Sequence, residues 1–140
     1  MFNHKFLAAA LLAGCSIVAV AQTEIKHVPA VRTSASSGQE MFVNYCAVCH
    51  GKDGKGAGPA TGALKVPPAD LSVLSKNNGG KFPSAHVATV LREGLESKSH
   101  GSKEMPIWGP IFRQTSQGHV SEVELRIANL SKYVESLQVK

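Results

Sequence analysis

Residues 46–50 read Cys46-Ala47-Val48-Cys49-His50. Two cysteines three residues apart lie on one face of a helix, one turn from each other. Four chemistries suit such a pair. A disulfide fits an oxidising compartment but leaves His50 without a task. A thioredoxin-like redox pair calls for a βαβ surround, and no stretch of this chain shows convincing strand alternation. A zinc site calls for a second ligand pair at close spacing, whereas His86, His100 and His119 are scattered. The fourth reading is C-x-x-C-H as a site of covalent haem attachment. Sulfurs one turn apart reach the two vinyl groups on one edge of the porphyrin, and His50, the next residue, serves iron as the proximal ligand. One haem c is therefore the expected cofactor. On this composition the pattern arises by chance about 0.003 times per chain.

Outward from the motif, the preceding residues read as the helix that carries it. Ser37-Gly38-Gln39-Glu40 matches a capping box, and Phe42, Tyr45, Cys46 and Cys49 then share a face at three- and four-residue spacing. Glycines at 51, 54, 56 and 58 end that helix and open a long loop running to Pro83. Within it, residues 69–75 have room for one short helical turn with Leu71 and Leu74 inward. A second main helix is expected after Ser84 as N-cap, with Val87, Val90 and Leu91 as its apolar stripe and Gly94 as its stop. Residues 95–120 read as loop. The last helix opens on a second capping box, Ser121-Glu122-Val123-Glu124, and its stripe is Val123, Ile127, Leu130, Val134 and Leu137. The expected class is thus all-α: three main helices plus a short one, with long loops. About a hundred residues so rich in loop bury little core of their own, and a large apolar cofactor at the centre would supply what is missing.

The amino terminus reads as a targeting segment. Lys5 gives a short positive region, residues 6–20 are almost wholly apolar, and Ala19-Val20-Ala21 supplies a small-x-small cleavage pattern. Residues 6–21 are short against the roughly 20 apolar residues of a spanning helix. The expected division is a signal peptide at 1–21, a flexible linker at 22–36 and the folded domain at 37–140, with the mature protein periplasmic. Leu12-Ala13-Gly14-Cys15 also resembles a bacterial lipobox, which would make Cys15 a lipid anchor and the protein a membrane-bound lipoprotein. The apolar run continues past it as Ile17-Val18-Ala19-Val20, which favours loss of Cys15 with the leader. That loss turns an odd cysteine count of three into the single pair Cys46 and Cys49.

Charge bounds the partners. The chain has 15 Lys and Arg against 10 Asp and Glu, and loss of Lys5 with the leader leaves a formal +4. The lysines are spread, with no basic run and little aromatic interleaving, which argues against nucleic-acid binding. A broad, mildly positive surface suits docking on acidic redox proteins. Glu93 and Glu96 read as solvated helix-end residues and form no acid–base pair, so no catalytic residue is expected.

The chain resembles the class I cytochromes c from residue 37 to about 139. The marks are the helix carrying Phe42, then CAVCHGKDGKGAGPA at 46–60, then Leu64 and Pro68-Ala69-Asp70-Leu71, then MPIWGPIF at 105–112, then a closing helix with Tyr133. The CHG-x-x-G-x-G stretch is especially similar to small bacterial monohaem cytochromes and to cytochrome c domains that serve respiratory oxidases. The resemblance implies a cytochrome c fold wrapped around one covalently bound haem. It implies that Phe42 and Tyr133 pack where the first and last helices cross. It also implies that the Pro59 carbonyl orients the proximal histidine, and it makes Trp108 and Arg113 candidates for bonding a haem propionate.

An electron carrier needs a second strong axial ligand, and a methionine thioether favours Fe(II) and raises the potential. Met41 sits on the helix of the cysteine pair and cannot reach the opposite face. Met105, in a loop 55 residues beyond His50, has chain enough to do so, and a loop Met-Pro here resembles the family's distal ligand. His100 is its chief rival. With both axial positions filled no coordination site is open to substrate. The expected function is single-electron transfer between redox partners in a respiratory or other periplasmic chain. The alternatives are a haem subunit of an oxidoreductase complex, or a gas- or peroxide-reactive protein should Met105 not bind iron.

Overall fold

The computed structural model describes residues 30–94 and 104–139, and among these there is no strand. The signal segment, Cys15, the first part of the linker, Glu96 and His100 lie outside the described residues. The elements in order are α1 (Gly38–Met41), a π-helical segment (Phe42–Cys46), α2 (Ala47–His50), 3-10 turns at Thr61–Ala63 and Leu71–Val73, α3 (Leu74–Asn77), α4 (Ser84–Glu93), α5 (Trp108–Thr115) and α6 (Val120–Ser136). The all-helical class stands as expected.

The first three elements form one helical stretch with a widened turn inside it. Ser37 caps it, its hydroxyl accepting from the Glu40 amide at 3.1 Å. The reciprocal half of the box is not made: the Glu40 carboxylate accepts from the Ser34 amide instead, at 3.1 Å. In the π segment the Ala47 N–H reaches back five residues to the Phe42 carbonyl, and the Asn44 side-chain amide donates to the Glu40 carbonyl at 2.9 Å. This turn buries Phe42, Tyr45 and Cys46 together.

Helix α6 packs across α1. A Cβ at Gly38 would lie 2.1 Å from the Asn129 carbonyl oxygen and 2.9 Å from Tyr133 Cβ, so only glycine permits this approach. Phe42 and Tyr133 meet there, ring centroids 5.3 Å apart and tilted by 51°, as the resemblance implies. The α6 stripe lies as its spacing predicts, with Val123, Ile127, Leu130 and Val134 buried and Leu137 packed against the core. Its start does not. His119 is the N-cap, Ser121 falls inside the first turn, and no side chain caps the helix. Both glutamates of the expected box serve arginines. Glu122 accepts from Arg126 at 2.8 Å, and Glu124 accepts from Arg92 of α4 at 2.6 Å.

Helix α4 begins at Ser84 itself, the residue expected to cap it, so the N-cap is Pro83, one residue earlier than expected, and the helix stops at Gly94. Helix α5 is a correction, because residues 108–115 lie in what the sequence reads as loop. Gly109-Pro110 gives the stretch its loop-like text, yet Pro110 occupies the first turn, where its missing N–H has no intrahelical acceptor to serve. Gly109 lets α5 touch α4: a Cβ there would lie 2.2 Å from the Arg92 carbonyl oxygen.

The linker reading is corrected from residue 30 onward. Ala30 packs on the core. The buried Thr33 hydroxyl bonds the Tyr45 hydroxyl at 2.8 Å, the Tyr45 hydroxyl also donates to the Val31 carbonyl, and Asn129 donates to the Ala35 carbonyl at 2.9 Å. Arg126, 4% exposed, ties this strap down. Its guanidinium donates to Ser116 Oγ at 3.0 Å, Thr33 Oγ1 at 3.2 Å and Glu122, so the buried cation keeps its hydrogen bonds.

The Arg92–Glu124 pair is different in kind. Both side chains are substantially exposed, at 38% and 50%, and the guanidinium holds the Glu124 carboxyl below its ordinary range through its hydrogen bond. A carboxyl so shifted contributes stability above the usual carboxylate range and loses it as pH falls through that range. Glu124→Gln is expected to cost no more than about 0.5 kcal/mol at neutral pH and nothing in acid, as read by denaturant titration at the two pH values.

Candidate functional site

The last turn of the first helical stretch presents Cys46, Cys49 and His50. A helix end leaves carbonyls without partners, and the glycine-rich loop that follows supplies them. Gly51 turns the chain at φ 75°, a conformation that suits glycine. The amides of Gly56, Gly58 and Ala60 then donate to the carbonyls of His50, Cys49 and Val48 at 2.7, 3.0 and 2.8 Å. The Thr61 hydroxyl, placed to reach both sides, bonds the Cys49 carbonyl at 3.0 Å and the Gly56 carbonyl at 2.9 Å. The loop is thus a backbone clamp on the motif, and the glycine spacing at 51, 54, 56 and 58 is its sequence signal.

Cys46 and Cys49 are free thiols. Burial pushes the Cys46 thiol up to about 12, with Cys49 beside it adding to the effect. Cys49 is shifted up as well, by burial first and then by the charge of Glu104. Neutral thiols on one helical face, with no disulfide between them, fit thioether attachment. His50 Nδ1 lies 3.0 Å from the Ala69 carbonyl oxygen. As a donor to that carbonyl, Nδ1 carries the proton and leaves the Nε2 lone pair for a metal. Nε2 makes no hydrogen bond among the described residues. Desolvation lowers the His50 pKa, against the Ala69 bond, so the ring favours its neutral form. This donor set fits a covalently held haem.

The bond expected from Pro59 is made by Ala69. Pro59 sits in the clamp loop between two amides that grip the helix end, whereas Ala69 arrives from the next segment. That segment is well fixed. Asp70 accepts from the Ser72 amide and hydroxyl at 2.8 and 2.6 Å, the Leu71 amide donates to the Gly54 carbonyl at 2.7 Å, and Gln138 donates to the Leu71 carbonyl at 2.6 Å. A main-chain carbonyl carries no side-chain signature, so the sequence offers nothing to single out Ala69.

Met105 is half-buried and packed against the core. The residue before it, Glu104, accepts from the Lys65 amide at 3.2 and 3.3 Å through its two oxygens, and its charge bears on Cys49. The Met105 segment is therefore beside the clamp loop and the thiols. Trp108 is buried and stacks on Tyr45, centroids 5.0 Å apart, with Phe112 at 5.6 Å. Its indole N–H makes no hydrogen bond among the described residues. Arg113 is exposed and lines a shallow groove with Pro110 and Gln117.

A comparison with curated proteins finds no match. A family described as Cytochrome C oxidase, cbb3-type, subunit III matches residues 33–118, which take in the strap from Thr33, the thiol pair, His50, the clamp loop and Met105. With well over half of the chain covered and an all-helical fold around the motif, the protein belongs to that family and carries a class I c-type cytochrome domain, whose general chemistry is haem-based electron transfer.

Proposed function

We propose that the protein is an exported monohaem electron carrier, with haem c held through Cys46 and Cys49 and its iron between His50 and Met105. The observation that carries this reading is the presentation of the motif: two free thiols on one turn, and a neutral imidazole whose Nδ1 is bonded to the Ala69 carbonyl. Bound haem supplies one-electron exchange between ferric and ferrous iron. The chain's residues do the rest. The clamp amides hold the helix end still, Ala69 fixes the tautomer and plane of His50, and Met105 offers a soft sulfur from the loop beside them. Trp108, whose indole N–H needs a partner, would bond a haem propionate. A rigid, fully provided pair of axial ligands suits electron transfer, since little has to move between redox states.

The leader at 1–21 sends the chain to the periplasm and takes Cys15 with it. The mildly positive mature surface steers it to acidic redox partners. A fixed place in an oxidase complex is a second reading, favoured by the family's description; co-purification with membrane subunits separates it from a diffusing shuttle.

Mass and spectrum of the mature protein test the proposal together. The mass is expected to equal the chain from Gln22 plus one haem, with the weak red-edge band of methionine-bound ferric haem present. Met105→Ala is expected to abolish that band and to let the ferrous protein bind carbon monoxide rapidly and completely. A parent protein that already binds it so would overturn the carrier reading.

A further inference from the structure

Glu104 reaches away from its own segment, and its neighbour is the proposed axial methionine. Its two carboxylate oxygens straddle the main-chain N–H of Lys65, at 3.2 and 3.3 Å across 39 residues of sequence. Lys65 follows the 3-10 turn Thr61–Ala63, itself bonded to the clamp: the Thr61 hydroxyl holds the Cys49 and Gly56 carbonyls, and the Leu64 amide donates to the Thr61 carbonyl at 3.2 Å. On the other side, Trp108 anchors the segment in the aromatic cluster with Tyr45 and Phe112. Met105 thus hangs between two fixed points, a buried ring three residues after it and a charge-assisted hydrogen bond one residue before it. Such bonds are stronger than neutral ones.

We propose that Glu104 is a positioning residue, a latch that keeps the Met105 sulfur on the iron by tying its loop to the Lys65 amide of the clamp loop. This rests on Met105 being the axial ligand. The latch joins the ligand loop directly to the chain that holds the thiols and His50, so the two faces of the site are kept in register by one carboxylate. Losing the bond leaves the fold intact, because Glu104 lies outside the buried core, but it lets the loop swing and exposes the sixth position more often.

The test uses the haem-loaded mature protein and its Glu104→Ala and Lys65→Pro variants. Lys65→Pro removes the amide donor and keeps the carboxylate, and Lys65→Ala controls for loss of the side chain. Carbon monoxide binding to the ferrous protein reports how often the sulfur leaves. Glu104→Ala is expected to raise its rate about tenfold, the equivalent of one hydrogen bond of about 1.4 kcal/mol. Lys65→Pro should do the same, the double variant should add little further, and Lys65→Ala should stay near the parent. Thermal midpoints should move far less than the rates. If the parent shows the methionine band and Glu104→Ala binds carbon monoxide at the parent's rate, the latch is overturned and the ligand assignment stands. If the parent lacks the band, the ligand assignment fails first and the latch falls with it.

Discussion

The chain purified free of haem, with Cys46 and Cys49 both replaced by alanine, is expected to melt without a cooperative transition, while the haem-loaded parent unfolds in one step. The reason lies in where side chains are buried. The apolar core is drawn from residues 41–47, from Phe82 and Leu91, and from 108–134. Between 51 and 70 every buried residue is a glycine. Ordering those twenty residues costs on the order of 20–40 kcal/mol of backbone entropy, and no apolar side chain fully buried there offsets it. The clamp amides return only about 1 kcal/mol each, net. Under the proposed function, a haem laid against this loop and bonded to the helix below it would be the missing apolar mass. Circular dichroism and near-ultraviolet spectra against temperature read the result. A sharp, reversible transition in the haem-free chain would show that the polypeptide closes its own core.

Gly38→Val is expected to be the most damaging single change away from the haem. The added branch would drive into the Asn129 carbonyl and Tyr133, both parts of α6 that cannot turn aside. Backbone gives less readily than a side-chain tip, so the cost should exceed about 3 kcal/mol, the upper end of ordinary overpacking. In a domain of this size that lowers the thermal midpoint by on the order of 10 °C or more. Gly62→Ala is the control, since nothing lies within 4 Å of its Cβ position, and it should be close to neutral. A Gly38→Val protein within about 1 kcal/mol of the parent would mean that α1 and α6 can separate without loss, contrary to the packing of Phe42 on Tyr133.

The thiol motif, the capped first helix and the long apolar stripe of α6 were legible because each is written in side chains at a fixed period. What escaped was written in main chain or in context. Helix α5 looked like loop because Gly109-Pro110 is the usual text of a turn. It is a helix because proline is harmless in a first turn and Gly109 meets the Arg92 carbonyl at the α4 contact. The strap at 30–36 has a linker's composition, and only the buried Arg126 and Tyr45 that it bonds turn it into part of the domain. Ser121 to Glu124 satisfied a capping pattern whose glutamates had arginines closer at hand. The histidine's partner moved from Pro59 to Ala69 because a carbonyl is common to every residue, and tertiary placement alone selects among them.

The widened turn at Phe42–Cys46 also bears on how relatives of this chain can differ in length. A π turn holds one residue more than the α turn it replaces, so this helical stretch behaves as an α-helix with a single insertion. Each residue of an α-helix rotates the chain by about 100°. An extra residue wound regularly would swing everything beyond it around the axis, whereas the wider turn absorbs it, so deleting exposed Val43 would restore regular winding and leave both flanks facing as they do. Phe42 would stay on Tyr133, and the cysteine pair would stay against the loop that grips it. An alignment gap in this turn would therefore mark a relative that has lost the widened turn and kept both contacts.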